Sequence, residues 1–175
     1  MNTNTPKLSR TVELVLFAML GALVFVLKVV MAPLPNIHPV GVLLMVYTLV
    51  FREKALVPLY VYVFLELFDY GFSPWWVPNL YVWAVLWGVT MLLPKKMPPA
   101  VAAPVYMVVC GLFGLAFGTL WAPAQALLFH LDFSATLAWI AAGFPFDITH
   151  GISNFLLGAL ILPLAAVLKK AIRGG

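Results

Sequence analysis

Residues 11–30 read TVELVLFAMLGALVFVLKVV, twenty residues holding one glutamate and one lysine, and runs of this kind recur to the C-terminal end. With 64% of the chain hydrophobic and 9% charged, too little polar surface exists to cover a water-soluble globule. Lipid must be part of the solvent. The runs are continuous rather than alternating, which selects helices over a β-barrel, and about 20 apolar residues in a helix cross a hydrocarbon core of roughly 30 Å.

Six segments are long and apolar enough to be read as spans: 11–30, 39–51, 55–70, 78–93, 100–120 and 148–170. Residues 121–146 are mixed and read as one or two short helices lying on the bilayer or dipping into it. The expected fold is an all-α integral membrane protein, a six-transmembrane-helix bundle forming one domain over 1–175. Lys7 and Arg10 precede the first run as they would in a secretory signal, but the run is too long and no small-residue cleavage site follows, so it reads as a span.

Charge orients the bundle. Lys7, Arg10, Arg52, Lys54, Lys95, Lys96, Lys169, Lys170 and Arg173 fall in the N-terminus, the second and fourth connections and the C-terminus, which share one side if there are six spans. The positive-inside rule then puts both termini in the cytoplasm. The net charge of +4 follows from that topology and is not a nucleic-acid footprint. The expected location is a cell membrane, crossed several times.

The remaining polar groups collect on the other side. Asn36 and His38 stand in the first outer loop, Glu66 and Asp69 at the outer end of the third span, and Asn79 at the start of the fourth. Gln125, His130 and Asp132 follow, and FPFDITHGISN places Asp147, His150 and Asn154 in i, i+3, i+7 register. Polar groups at membrane depth face the bundle interior or a wet cavity. An outward-opening pocket is expected. Trp76, Asn79 and Trp83 also share an i, i+3, i+7 register, within the aromatic stretch DYGFSPWWVPNLYVW. An interfacial aromatic belt explains that stretch as well.

Each candidate has a structural alternative. Asp147 reads either as the cap of the sixth span or as the first member of a polar stripe. His150 reads as a ligand group or as a partner of Asp147. Glu66 reads as a pocket acid or as the partner of Lys28, since a buried lone charge is expensive. Asn36 and His38, among Pro33, Pro35 and Pro39, read as pocket groups or as shapers of a rigid turn. Asp132 reads as a solvated loop charge. No metal site is expected, because no histidine pair has ligand spacing and Cys110 stands alone. Nucleotide-binding and hydrolase motifs are absent.

The chain resembles the substrate-binding S components of energy-coupling factor (ECF) vitamin transporters. AMLGA, with Ala18 and Ala22, is similar to the Ala-x-x-x-Ala face by which that family docks on its transmembrane coupling subunit. APLPNIHPVG resembles the family's lid loop, and GFPFDITHGISNFLLGALILPLAAVLKK resembles the closing pattern of some members. The resemblance implies capture of a vitamin or related micronutrient from outside. Uptake would be driven by two ATPase subunits and the coupling subunit, all on separate chains. ATP would then be bound by those partners, with no cofactor on this chain and no intrinsic ATPase. Asn36, His38, Glu66, Trp76, Asn79, Trp83, Asp147, His150 and Asn154 would bind substrate, and Ala18 and Ala22 would meet the coupling subunit. Aromatic walls with a few polar groups suit a flat heterocycle, neutral or cationic, such as a thiamine-, pyrimidine-, pyridine- or pterin-like molecule. Two rival classes are a small membrane enzyme using Glu66, Asp147 and His150, and a scaffold in which the polar stripe only joins helices.

Overall fold

The computed structural model describes residues 9–174, and it is helical from end to end. Lys7 lies outside the described residues, as does the side chain of Arg173. The helices are α1 (Arg10–Val30), α2 (Val40–Phe51), α3 (Leu56–Tyr70), α4 (Asn79–Leu92), α5 (Pro99–Leu115), α6 (Phe117–Phe129), α7 (Phe133–Leu157) and α8 (Ile161–Gly174), with short 3-10 turns at Arg52–Ala55 and Gly158–Leu160. Three stretches are long and apolar enough to cross a membrane: Arg10–Val30, Pro99–Phe129 and Phe133–Ile172.

At the centre lies α2. Its sequence VGVLLMVYTLVF is apolar all round, and Val40 through Thr48 are buried without interruption, as expected of a helix surrounded by others. Twelve residues make a helix of about 18 Å, shorter than a hydrocarbon core. Its hydroxyls are satisfied at home or next door: Thr48 donates to the Leu44 carbonyl (2.7 Å), and Tyr47 donates to the Leu20 carbonyl (3.1 Å). The helix stops at Arg52, whose φ of 57° no longer continues it.

The second half of the chain differs from the sequence reading. Residues 121–146 are not separate short helices: they complete α6 and form the first half of α7, turning at His130–Asp132. His130 closes α6 in the left-handed region (φ 53°), and the Asp132 carboxylate caps α7 by accepting from the Ala135 N–H (2.7 Å). Asp132 is therefore a helix cap as well as a solvent-exposed charge. Those bonds, from Ala135 first and the Ser134 hydroxyl second, hold its carboxyl below the usual carboxylate range. Pro145, two residues before Asp147, sits inside α7, where it removes one N–H without ending the helix. Asp147 is consequently mid-helix and caps nothing.

Close approach of α5 and α6 to α7 depends on small residues. A Cβ on Gly114 would lie 2.7 Å from the His150 carbonyl oxygen and 2.8 Å from the Gly151 Cα, so only glycine lets the two backbones touch there. Gly111 and Gly118 continue the same face of GLFGLAFG. This contact fixes the height at which α7 presents Asp147, His150 and Asn154.

The two ends of the bundle differ chemically. Lys54 pairs with Glu13 (2.5 Å), and Arg52, Lys95 and Lys169 come together at the same end of α2 and α3. At the other end, Lys28, His38, Tyr70 and Asn79 come together with Trp121.

Candidate functional site

Between the start of α4, the end of α3 and the flank of α6 lies a cavity of about 500 Å³. Its wall is aromatic because four elements each contribute rings. Trp83 on α4 lies 5.3 Å from Phe117 on α6, Phe117 lies 5.5 Å from Trp121, and Trp121 lies 5.9 Å from Trp75 in the connection before α4, all between ring centroids. Tilted stacking of this kind makes a rigid apolar wall that a flat ligand can slide against.

Four of the sequence candidates line this cavity: His38, Trp76, Asn79 and Trp83. Asn79 orients Trp83 by accepting from its indole N–H (2.9 Å). Trp76 stands ahead of α4 rather than on it, so its helical register with Asn79 and Trp83 is replaced by a turn that reaches the same place. Its indole N–H donates to the Val63 carbonyl (2.8 Å), which leaves the ring face for packing.

Beneath them stands the polar stripe of α7. The His150 ring meets Phe117 at 4.7 Å and His38 at 5.0 Å. Asn154 is fully buried, close enough to Gly41 that a Cβ there would lie 3.5 Å from the Asn154 amide nitrogen. Asp147 faces α6 and accepts from the Gly118 N–H (3.0 Å). It does not pair with His150: neither ring nitrogen of His150 has a hydrogen-bond partner within the described protein, nor does either polar atom of Asn154.

Two candidates act on the fold around the cavity. Asn36, in left-handed backbone at φ 60°, accepts from the Ser153 hydroxyl (2.9 Å), which ties the first loop to α7. Glu66 is fully buried, where it binds the Lys28 ammonium and accepts from the Tyr62 hydroxyl (2.9 Å). Lys28 itself lines the cavity, with its ammonium 4.8 Å from the Tyr70 ring centre. Ala18 is exposed and Ala22 half-buried on α1, away from this end of the bundle.

Residues lining the cavity carry polar groups left without a protein partner. The Trp121 indole N–H and the Nδ1 of His38 are buried without a protein partner, and Asn79 keeps its amide N–H groups after its oxygen is used. No carboxylate lines the cavity. His38, in the connection between α1 and α2, has its pKa lowered to about 3, first by burial and then by the neighbouring His150 and Lys28. It is a neutral imidazole at neutral pH. Among the described residues, no group of three or more potential metal ligands comes together.

Sequence reasoning missed Ser73, Phe117 and Trp121 as cavity residues. The four-residue spacing of Phe113, Phe117 and Trp121, one aromatic stripe through α5 and α6, was the available signal. A larger hollow of about 700 Å³ runs beside α3 between residues such as Val57, Val61 and Phe64, but it presents almost no polar atom and is a groove on the outer apolar surface. In comparisons with family models, curated proteins and solved structures, nothing matches this chain.

Proposed function

We propose that the chain is a six-span membrane protein that captures a small, flat, net-neutral heteroaromatic nutrient in the aromatic cavity, serving as the substrate-binding component of an ECF-type uptake system. One observation carries this reading. A cavity of about 500 Å³ walled by tryptophans also holds buried polar groups that the bundle leaves unpartnered, among them the Trp121 N–H and His38 Nδ1. A scaffold would be expected to satisfy such groups internally, because an unpaired buried polar atom costs about 1–3 kcal/mol. A ligand with ring nitrogens or carbonyl oxygens fits the Trp121 and Asn79 N–H groups, and the pairing of Lys28 with Glu66 removes the net charge from the wall.

The grouping of Arg52, Lys95 and Lys169 at the opposite end supports cytoplasmic termini and an outward cavity, by the same charge asymmetry read from the sequence. The exposed Ala18 and half-buried Ala22 leave room on α1 for a coupling subunit, with two further subunits supplying ATP hydrolysis.

Thermal unfolding of the detergent-purified chain against heteroaromatic vitamins and their precursors tests the reading. Ligand at about 100 times its Kd stabilises the folded state by about 2.7 kcal/mol. One compound is expected to raise Tm in the wild type and not in Asn79→Ala. A panel that leaves Tm unchanged, beside pocket variants that only lose stability, would sink the proposal in favour of a scaffold.

A further inference from the structure

The basic end of the bundle holds a hollow of its own, about 150 Å³ in volume. Three cations line it from three distant parts of the chain: Arg52 where α2 ends, Lys95 in the α4–α5 connection and Lys169 on α8. Among the described residues no carboxylate lines it, and the ion pairs found there, Lys28 with Glu66 and Lys54 with Glu13, involve none of the three. Like charges gathered this way repel unless an anion joins them.

The fold holds Arg52 in place, while Lys95 and Lys169 are exposed beside it. Arg52 donates from Nη2 to the Met91 carbonyl at the end of α4 (2.9 Å), while its own carbonyl accepts from the Trp87 indole N–H (3.2 Å). One bond of that kind leaves most of the five guanidinium donors for another acceptor. The Tyr106 side chain adds a hydroxyl to the lining, and Leu162 and Ala165 make its apolar side. On α8 the buried Ile161 and Ala165 give way within two turns to the exposed Lys169 and Lys170. A site cationic on one side, aliphatic on the other and set at the ends of apolar helices has the amphipathic pattern of a phospholipid at its headgroup level.

We propose that this hollow binds the phosphoryl headgroup of an anionic phospholipid, with Arg52, Lys95 and Lys169 sharing its charge. The inference depends on the membrane location of the chain and not on what the aromatic cavity takes, so either can fail without the other. A free phosphate ion would meet the same three cations, but the aliphatic side of the hollow favours the lipid.

Native mass spectrometry of the full chain, titrated with phosphatidylglycerol and separately with phosphatidylcholine, tests it. K95Q/K169Q removes two of the cations while sparing the bond from Arg52 to Met91, and K54Q/K96Q removes equal charge outside the hollow. The expected result is one retained phosphatidylglycerol on the wild type and on K54Q/K96Q, with binding about tenfold or more weaker in K95Q/K169Q. K169Q alone is expected to lie between, and it carries the test should the double variant not fold. Equal loss in both double variants, unchanged binding in K95Q/K169Q, or equally tight phosphatidylcholine overturns the proposal. So does displacement of the lipid by an equimolar amount of inorganic phosphate, which points to a soluble anion, or by hexaglutamate, which points to an acidic protein segment.

Discussion

His38 and His150 meet edge to face with their ring centroids 5.0 Å apart, one carried by the loop after α1 and the other by the middle of α7. Loop and helix are also tied by the Ser153 hydroxyl and the Asn36 carbonyl. The loop thus closes over the polar stripe through a ring contact and a hydrogen bond, and both depend on the height of α7.

A pH dependence follows from His38. Its folded-state pKa of about 3 lies below the ordinary 6.5, so the unfolded chain takes up the extra proton and stability falls as the pH drops through that window. The contribution is fully present above 6.5 and lost toward 3. Thermal unfolding of the wild type is expected to lose Tm more steeply than H38Q between neutral pH and about pH 4. Parallel profiles would show that the ring is not held neutral by its surroundings.

The glycine contact makes a second prediction. Gly114→Ala drives a Cβ against the His150 carbonyl and the Gly151 backbone, neither of which can swing aside as a side chain would. A loss of about 1–3 kcal/mol is expected, together with weaker ligand binding, because α7 must back away and take His150 with it. Gly88→Ala on α4, where a Cβ meets nothing within 4 Å, is the control, expected to be neutral or slightly stabilising. Equal effects of the two in chemical denaturation would remove the argument that α7 is positioned by this contact.

Much of the first half of this architecture is legible in the residues. The segments read at 11–30, 39–51, 55–70 and 78–93 lie within one residue of α1 to α4 at each end, because proline-rich or charged connections cut clean edges into apolar runs. Beyond residue 100 the edges blur. Pro104, Pro123 and Pro145 all lie inside helices, each removing one N–H without ending its helix, so proline stops marking boundaries. The site divides the same way. His38, Asn79 and Asn154 stand out as polar groups among apolar ones, whereas Phe117 and Trp121 have no such contrast and gain meaning only once α6 is seen beside α4.

The Lys28–Glu66 pair supplies a third test. Glu66 is fully buried while Lys28 is partly exposed, so the two single removals are not equivalent. K28M strands a buried carboxylate and is expected to cost about 3–5 kcal/mol, whereas K28M/E66L replaces both charges by apolar groups and recovers most of that loss. The cycle is read by denaturant unfolding in detergent. A double variant as unstable as K28M would mean that the Tyr62–Glu66 hydrogen bond, and not the ion pair, matters to the fold.

Ala18 and Ala22 make the last prediction, which under the proposed function separates binding from uptake. Gly21, one turn from Ala18 and adjacent to Ala22, is buried against Pro58 and Val61 of α3, whereas Ala18 is exposed on the flank of that contact. Leucine at exposed 18 adds bulk outside the packed core and at half-buried 22 along its edge, so the purified A18L/A22L chain is expected to lose at most a few degrees of Tm and to keep its ligand-induced shift. Small residues let helices approach closely, and filling that face should block docking of a coupling helix. Cellular uptake by A18L/A22L is therefore expected to fall at least about tenfold with binding intact. Uptake at the wild-type level would assign this face of α1 to lipid and sink the proposed docking on Ala18 and Ala22.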